Sequence, residues 1–115
     1  MKAYDYDCPV EATLEVIGGK WKATCLYYLI EGPKRFSELM ELLETASSRI
    51  LSKQLKELEE HEVIKRKIYS EVPPRVEYSL TDYGKTLLPL IEMICDWGER
   101  RLEKTGKKAI YNESH

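Results

Sequence analysis

A mainly α-helical chain with one small β-hairpin, α+β in class, is the fold these residues predict, and three observations carry that reading. Apolar residues recur at steps of three and four through most of the chain, the period of an amphipathic helix. Between Ile64 and Leu80 the period drops to two. Ile64 and Ile68, then Val76, Tyr78 and Leu80, alternate with polar residues as in half-buried strands. Pro73 and Pro74 separate the two runs at a tip that cannot continue a ladder. Lys65, Arg66, Lys67 and Arg75 flank that tip, which makes the hairpin a ribbon with cationic arms. It directly follows a helical segment, Ser47 to Glu60, whose polar face is rich in Ser, Arg, Lys and Gln. A helix followed by a basic ribbon is the layout of a winged helix-turn-helix, and it points to duplex DNA as the partner.

The elements follow in order. Pro9 suits the first turn of a helix, where a missing N–H is no loss. Val10, Leu14 and Ile17 then repeat at helical spacing until Gly18-Gly19 ends the run. A second helix is expected from about Lys20, turning Trp21, Cys25, Leu26 and Leu29 inward, and Gly32-Pro33 stops it. Lys34 to Phe36 reads as a short strand, and Ser37 as the cap of a helix holding Leu39, Met40 and Leu43. Thr45 to Ser48 form the turn into the next helix. There Ile50, Leu51, Leu55 and Leu58 make an apolar stripe, leaving Ser48, Arg49, Ser52, Lys53 and Lys56 on the opposite face. Thr81 is placed to cap a long final helix with Leu87, Leu88, Ile91, Ile94, Cys95, Trp97 and Leu102 as its apolar positions. Pro89 should kink that helix or split it in two, since it removes a hydrogen bond. The helix is more apolar than a small core needs, which predicts a dimer seam including Ile91, Ile94, Cys95 and Leu102.

At 115 residues the chain fits one domain, expected over 8–104, with an N-terminal arm at 1–7 and a tail at 105–115. A formal net charge of −2 excludes a protein basic all over, so DNA affinity must come from local clusters of cations. Arg49, Lys53, Lys56, Lys65, Arg66, Lys67 and Arg75 form such a cluster, with Glu57, Glu59, Glu60 and Glu62 among them. No apolar run approaches the ~20 residues of a membrane span, and the opening Met-Lys-Ala-Tyr-Asp-Tyr-Asp has no signal-peptide core. Three cysteines, without metal-ligand spacing, suit a reducing cytoplasm better than a disulfide framework. There is no Gly-rich phosphate loop, paired-histidine metal motif or nucleophile elbow, and the two histidines are His61 and His115. Neither an enzyme nor a holder of metal or cofactor is expected.

Several segments then add up to a family resemblance. Cys8-Pro9-Val10-Glu11, Ile17-Gly18-Gly19-Lys20-Trp21-Lys22, and Gly32-Pro33-Lys34-Arg35-Phe36-Ser37-Glu38-Leu39 come first. Val72-Pro73-Pro74-Arg75-Val76-Glu77-Tyr78-Ser79-Leu80-Thr81 follows, with Gly84 and Trp97-Gly98 behind it. In this order and spacing, from Cys8 to about Leu102, the chain resembles the HxlR-type bacterial transcriptional regulators. The resemblance implies a dimeric winged-helix DNA-binding protein, related in architecture to the MarR regulators, in which the outer helices dimerise. It matches the recognition helix to Ser47–Leu58 and the wing to Tyr69–Arg75, placing Ser47, Ser48, Arg49, Ser52, Lys53 and Gln54 at or near the major groove. Many members carry a cysteine at the position of Cys8, and in some it senses electrophiles or oxidants. The position of a second, disulfide-forming cysteine varies among them.

Roles for these residues follow from their chemistry. Arg49 and Lys53 suit base edges or phosphates, and Gln54 an adenine. Ser47 and Ser48 suit the helix cap or phosphate oxygens at its N-terminus. Lys65, Lys67 and Arg75 would grip the backbone or minor groove from the wing. The expected partners are a pseudo-palindromic operator and a second copy of the chain, with no membrane. A small electrophile or oxidant is the candidate inducer. Cys8, just before Pro9, takes the helix N-cap, whereas Cys25 and Cys95 lie in apolar helical patterns where burial shields them. The alternative is a winged-helix module for protein interaction without DNA, although such modules typically lose the basic face.

Overall fold

The computed structural model describes residues 5–109; the outer ends of the expected arm and tail, 1–4 and 110–115, lie outside them. Helix α1 (Pro9–Ile17) starts as its residues predict, with Cys8 at the N-cap and Pro9 in the first turn. It turns only Ile17 into the core. Val10 and Leu14, which repeat with Ile17 at helical spacing, are 59% and 54% exposed. The reason is position: α1 packs chiefly on α2 (Lys22–Leu29) at the margin of the chain, so its apolar stripe faces outward.

Helix α2 is the centre of the core. Cys25, Leu26, Tyr28 and Leu29 are buried on it, with Trp21 half-buried at its start. After Gly32-Pro33 comes β1 (Lys34–Arg35) and then α3 (Phe36–Leu42). The cap of α3 differs from expectation. Arg35, not Ser37, is the N-cap, and its N–H donates to Glu38 Oε1 at 2.8 Å. That bond holds the Glu38 carboxyl below its ordinary pKa.

A short turn leads into α4 (Ser48–Glu60), and α3 with α4 forms the helix-turn-helix. Leu51, Leu55 and Leu58 are buried, while Ile50, expected with them, is exposed, so the stripe is narrower than its sequence suggests. Ser47 caps α4, its Oγ accepting the Ile50 N–H at 3.1 Å. Ser47→Ala is expected to cost ~1 kcal/mol, measurable as a lower urea midpoint with an unchanged slope.

Strands β2 (Ile64–Tyr69) and β3 (Arg75–Leu80) pair antiparallel, from Ile64 opposite Leu80 to Tyr69 opposite Arg75. Strand β1 joins the other side of β3, giving the order β1-β3-β2. Ile64 and Leu80 anchor the hairpin in the core. Its outer half projects from the body and leaves Ile68 exposed, contrary to the alternation, because no second layer covers that part of the ribbon. The element is a wing.

Proline divides the C-terminal segment, one of the two outcomes expected. Thr81 caps a short α5 (Asp82–Lys85), accepting the Gly84 N–H at 2.9 Å and donating to the Glu62 carbonyl at 2.7 Å. Pro89 then lies in the first turn of α6 (Leu88–Thr105), where its missing N–H leaves no acceptor unsatisfied. Gly106, at φ +69°, ends the helix in the left-handed region. One expectation for α6 is corrected here. Ile91 is only 2% exposed and packs in the chain's own core, so it has no surface to give to a seam. Among the described residues no helix is long and apolar enough to cross a membrane.

Candidate nucleic-acid interface

Leucines set the orientation of α4. With Leu51, Leu55 and Leu58 held inside, Ser48, Arg49, Ser52, Lys53 and Lys56 stand exposed on the outer face. Gln54 is half-buried at the edge of that face. Ser47 is already engaged as the cap through its lone pair, though its hydroxyl proton remains available to an acceptor. Arg49, Lys53 and Lys56 have no carboxylate within ion-pair distance among the described residues. Lys22, Lys34 and Arg35, on other surfaces, pair with Glu57, Glu31 and Glu38. The outer face of α4 therefore presents cations that no described neighbour neutralises.

The wing adds a second set. Lys65, Arg66 and Lys67 are exposed on β2, and Lys67 Nζ lies 4.8 Å from the centroid of the Tyr69 ring. Arg75 behaves differently from the others. Its guanidinium meets Glu71 Oε2 at 3.0 Å and Glu77 Oε2 at 3.1 Å, and stacks 4.1 Å from the Tyr69 ring. Its charge is thus matched within the wing, and its first task is to organise that hairpin. Lys56 and Arg66, counted in the cationic cluster of the sequence but given no contact role there, enlarge the patch. Lys56 was legible, lying three residues from Lys53 and seven from Arg49 on one helical face.

The cysteines are separated in both place and chemistry. Cys8 is exposed at the head of α1 and caps no N–H with its side chain. Cys25 is fully buried, and burial pushes its thiol up to about 12. Cys95 is half-buried on α6. Burial, and then the Glu99 carboxylate 3.5 Å away, raise its pKa as well. Helix α1 is also tied to α4: Glu15 faces His61 Nε2 at 3.7 Å and accepts a hydrogen bond from Tyr6. On α6, Ile94 is exposed, Cys95 and Leu102 are half-buried, and Met93 and Trp97 reach 68% and 62% exposure. No group of carboxylates, cysteines and histidines suited to a metal ion occurs among the described residues.

Comparison with known proteins gives a consistent picture. The model of the HxlR-like helix-turn-helix family matches residues 16–106. The uncharacterized HTH-type transcriptional regulator YdeP of Bacillus subtilis is 52% identical over 100 residues, covering 87% of this chain and 78% of its own. The redox regulator HypR, in its reduced form, superposes with a TM-score of 0.81 at 44% identity, over 86% of this chain and 98% of that one. The reduced transcriptional regulator YodB of B. subtilis gives 0.71 at 32% identity, over 83% and 94%.

Proposed function

The chain belongs to the HxlR-like helix-turn-helix family of transcriptional regulators, and from that premise we propose that it binds duplex DNA as a homodimer. Helix α4 enters the major groove and the β2–β3 wing lies on the flanking backbone. The observation that carries this reading is the exposed face of Arg49, Lys53 and Lys56, with no carboxylate paired to it, beside the cations of β2. In a chain of net charge −2, that face is a local attraction for phosphate on an otherwise unattractive surface. A two-fold dimer makes the operator a pseudo-palindrome with half-sites about one helical turn apart. Selection of bound fragments from random duplex DNA tests this reading. Enrichment of such pseudo-palindromes is the expected result, and no enrichment at low salt would return the fold to a protein-interaction role.

The seam of the dimer is formed by the outward apolar residues of α6 and α1, with Met93, Ile94 and Trp97 beside Val10 and Leu14, and Cys95 and Leu102 at its margin. Trp97→Glu leaves the core untouched and is expected to convert dimer to monomer in sedimentation. A variant that stays dimeric would move the seam elsewhere.

Control by a small electrophile or oxidant acts at Cys8, in keeping with the likeness of this chain to the redox regulator HypR. The thiol heads the helix that carries Val10 and Leu14 to the seam and Glu15 to His61 of α4. An adduct there displaces α1 and changes the spacing of the two recognition helices. Limited alkylation followed by mass spectrometry is expected to label Cys8 first, because Cys25 and Cys95 are shielded and held protonated. Faster reaction at either of those, or unchanged DNA binding after alkylation, would make Cys8 structural. The work of such a regulator belongs in the cytoplasm, where its DNA is.

A further inference from the structure

We propose that the cavity at the root of the wing, between the end of α2, the β2–β3 hairpin and α5, is a binding site for a small phosphate monoester with a short apolar body. It encloses about 350 Å³, inside the ~300–1,000 Å³ of small-ligand sites. The strand register positions it. Lys65 stands opposite Ser79, one rung from the Ile64–Leu80 pair that anchors the hairpin and four rungs from Tyr69–Arg75 at the tip. Successive residues of a strand point to opposite faces, and Ile64 and Leu80 take the core side, so Lys65 and Ser79 share the outer side. Both line the cavity, with Lys85 from α5 and Leu88 from the start of α6.

Charge selects the guest. Lys65 and Lys85 are exposed, and neither has a carboxylate within ion-pair distance among the described residues. This holds although Asp82 lies three residues before Lys85 in the same short helix. The acid that lines the cavity, Glu31, is already engaged by Lys34 at 3.6 Å. Two unmatched ammonium groups therefore border one cavity, and the ion that matches them is a dianion. A phosphate monoester carries about −1.5 to −2 at neutral pH, and lysine meets such a group as a point charge. The Ser79 hydroxyl adds a hydrogen-bond donor.

The apolar part of the wall decides against a bare ion. Ile30, Pro33 and Leu88 line the same cavity, and a short hydrocarbon body covers surface there that inorganic phosphate would leave in water. A backbone phosphate of a duplex shares the head-group chemistry. The place of the cavity at the root of the hairpin, away from its tip, favours a free molecule.

A guest occupies Lys65, one of the cations of β2, and adds negative charge beside Lys67. Operator affinity should therefore fall when the site fills. That second half rests on the DNA-binding reading, and titration without DNA tests the site by itself. The full chain, titrated with phenyl phosphate at fixed ionic strength, should show saturable amide shifts at Lys65, Ser79, Lys85 and Leu88 in nuclear magnetic resonance. Phenyl phosphate should bind at least fivefold tighter than inorganic phosphate or the monoanion phenylacetate. Lys85→Ala should weaken it at least fivefold, with circular dichroism and melting temperature unchanged. Ser79→Val, which suits a strand, should weaken it several-fold and serves if the first variant misfolds. No saturable shift, or shifts confined to Arg49, Lys53 and the rest of α4, overturns the site. Equal binding of inorganic phosphate or phenylacetate overturns the assignment of the guest. Lys85→Ala that binds the ester normally, or that by itself weakens operator binding and flattens its salt dependence, also overturns it, the latter giving the lysines to the duplex. Ester binding that leaves operator affinity unchanged overturns the coupling to the wing.

Discussion

Operator affinity is expected to fall ~10³-fold as salt rises from roughly 50 to 200 mM, the loss that follows from about six neutralised phosphates. That is about three phosphate contacts per subunit, which Arg49, Lys53, Lys56 and the cations of β2 are sufficient to supply. Each contact adds about −0.9 to the log–log slope, and a substitution removes one contact from each subunit, so removing Lys53 or Lys67 should flatten it by about 1.8 while weakening all sequences alike. Arg49→Ala, if Arg49 reads a base, should cost roughly 1–3 kcal/mol and relax preference at one position. Arg75 allows a test in which the sign of the effect decides. With Glu71 and Glu77 against its guanidinium, it behaves as a brace of the wing. Glu77→Gln is therefore expected to leave affinity unchanged or lower it. A clear rise would mean that Arg75, once released, contacts phosphate. Salt-independent affinity, or no binding to any duplex at low salt, would remove the basis for the DNA reading.

Gly84→Ala is expected to destabilise the fold by about 3 kcal/mol, the upper end of the usual overpacking range. A Cβ at Gly84 would be driven into the backbone carbonyl of Val63, which has no rotamer by which to move aside. The same carbonyl accepts the Thr81 N–H at 3.1 Å, and Thr81 Oγ1 is bonded to Glu62. Helix α5 is in this way keyed onto the turn between α4 and β2. The melting temperature should drop on the order of 10–20 °C, and operator binding with it, because the displaced turn joins the recognition helix to the wing. Gly98→Ala is the control. Open space surrounds that position, and the change should be neutral or slightly stabilising. Equal melting temperatures for the two variants would show that α5 yields freely and that the close approach at Gly84 carries no weight.

Local chemistry was legible in the sequence wherever one short pattern decided the outcome. The leucine stripe of α4, the cap at Ser47, the two strands of the wing and the break at Pro89 all appear where their residues placed them. What escaped depends on where an element sits. Val10 and Leu14 repeat like core residues, yet α1 lies at the margin, and periodicity reports that a face is apolar without saying what it meets. Ile68 alternates correctly but projects past the layer that would cover it. Ile91 was assigned to the seam because the excess of apolar positions on α6 could not be divided between core and interface from one strand of text. The turn after α4 carried no signal, since Glu62 at φ +64° holds a conformation that glycine or asparagine would advertise. The candidate site was largely readable as a set of cations. Which of them are already neutralised depends on Glu71 and Glu77, and that required geometry.

An isolated two-stranded hairpin in water is at best marginally stable. In this wing Tyr69 and Arg75 face each other across the last rung of the ladder, with the guanidinium over the ring and Glu71 and Glu77 holding its edges. Few conformations are then left to surrender when the wing meets a duplex, so association loses little ordering entropy in this segment. The contribution of the wing to binding is consequently set by its stiffness as much as by its charge. A variant that kept every lysine but loosened the Tyr69–Arg75 pair would dissociate faster while approaching its target at nearly the same rate.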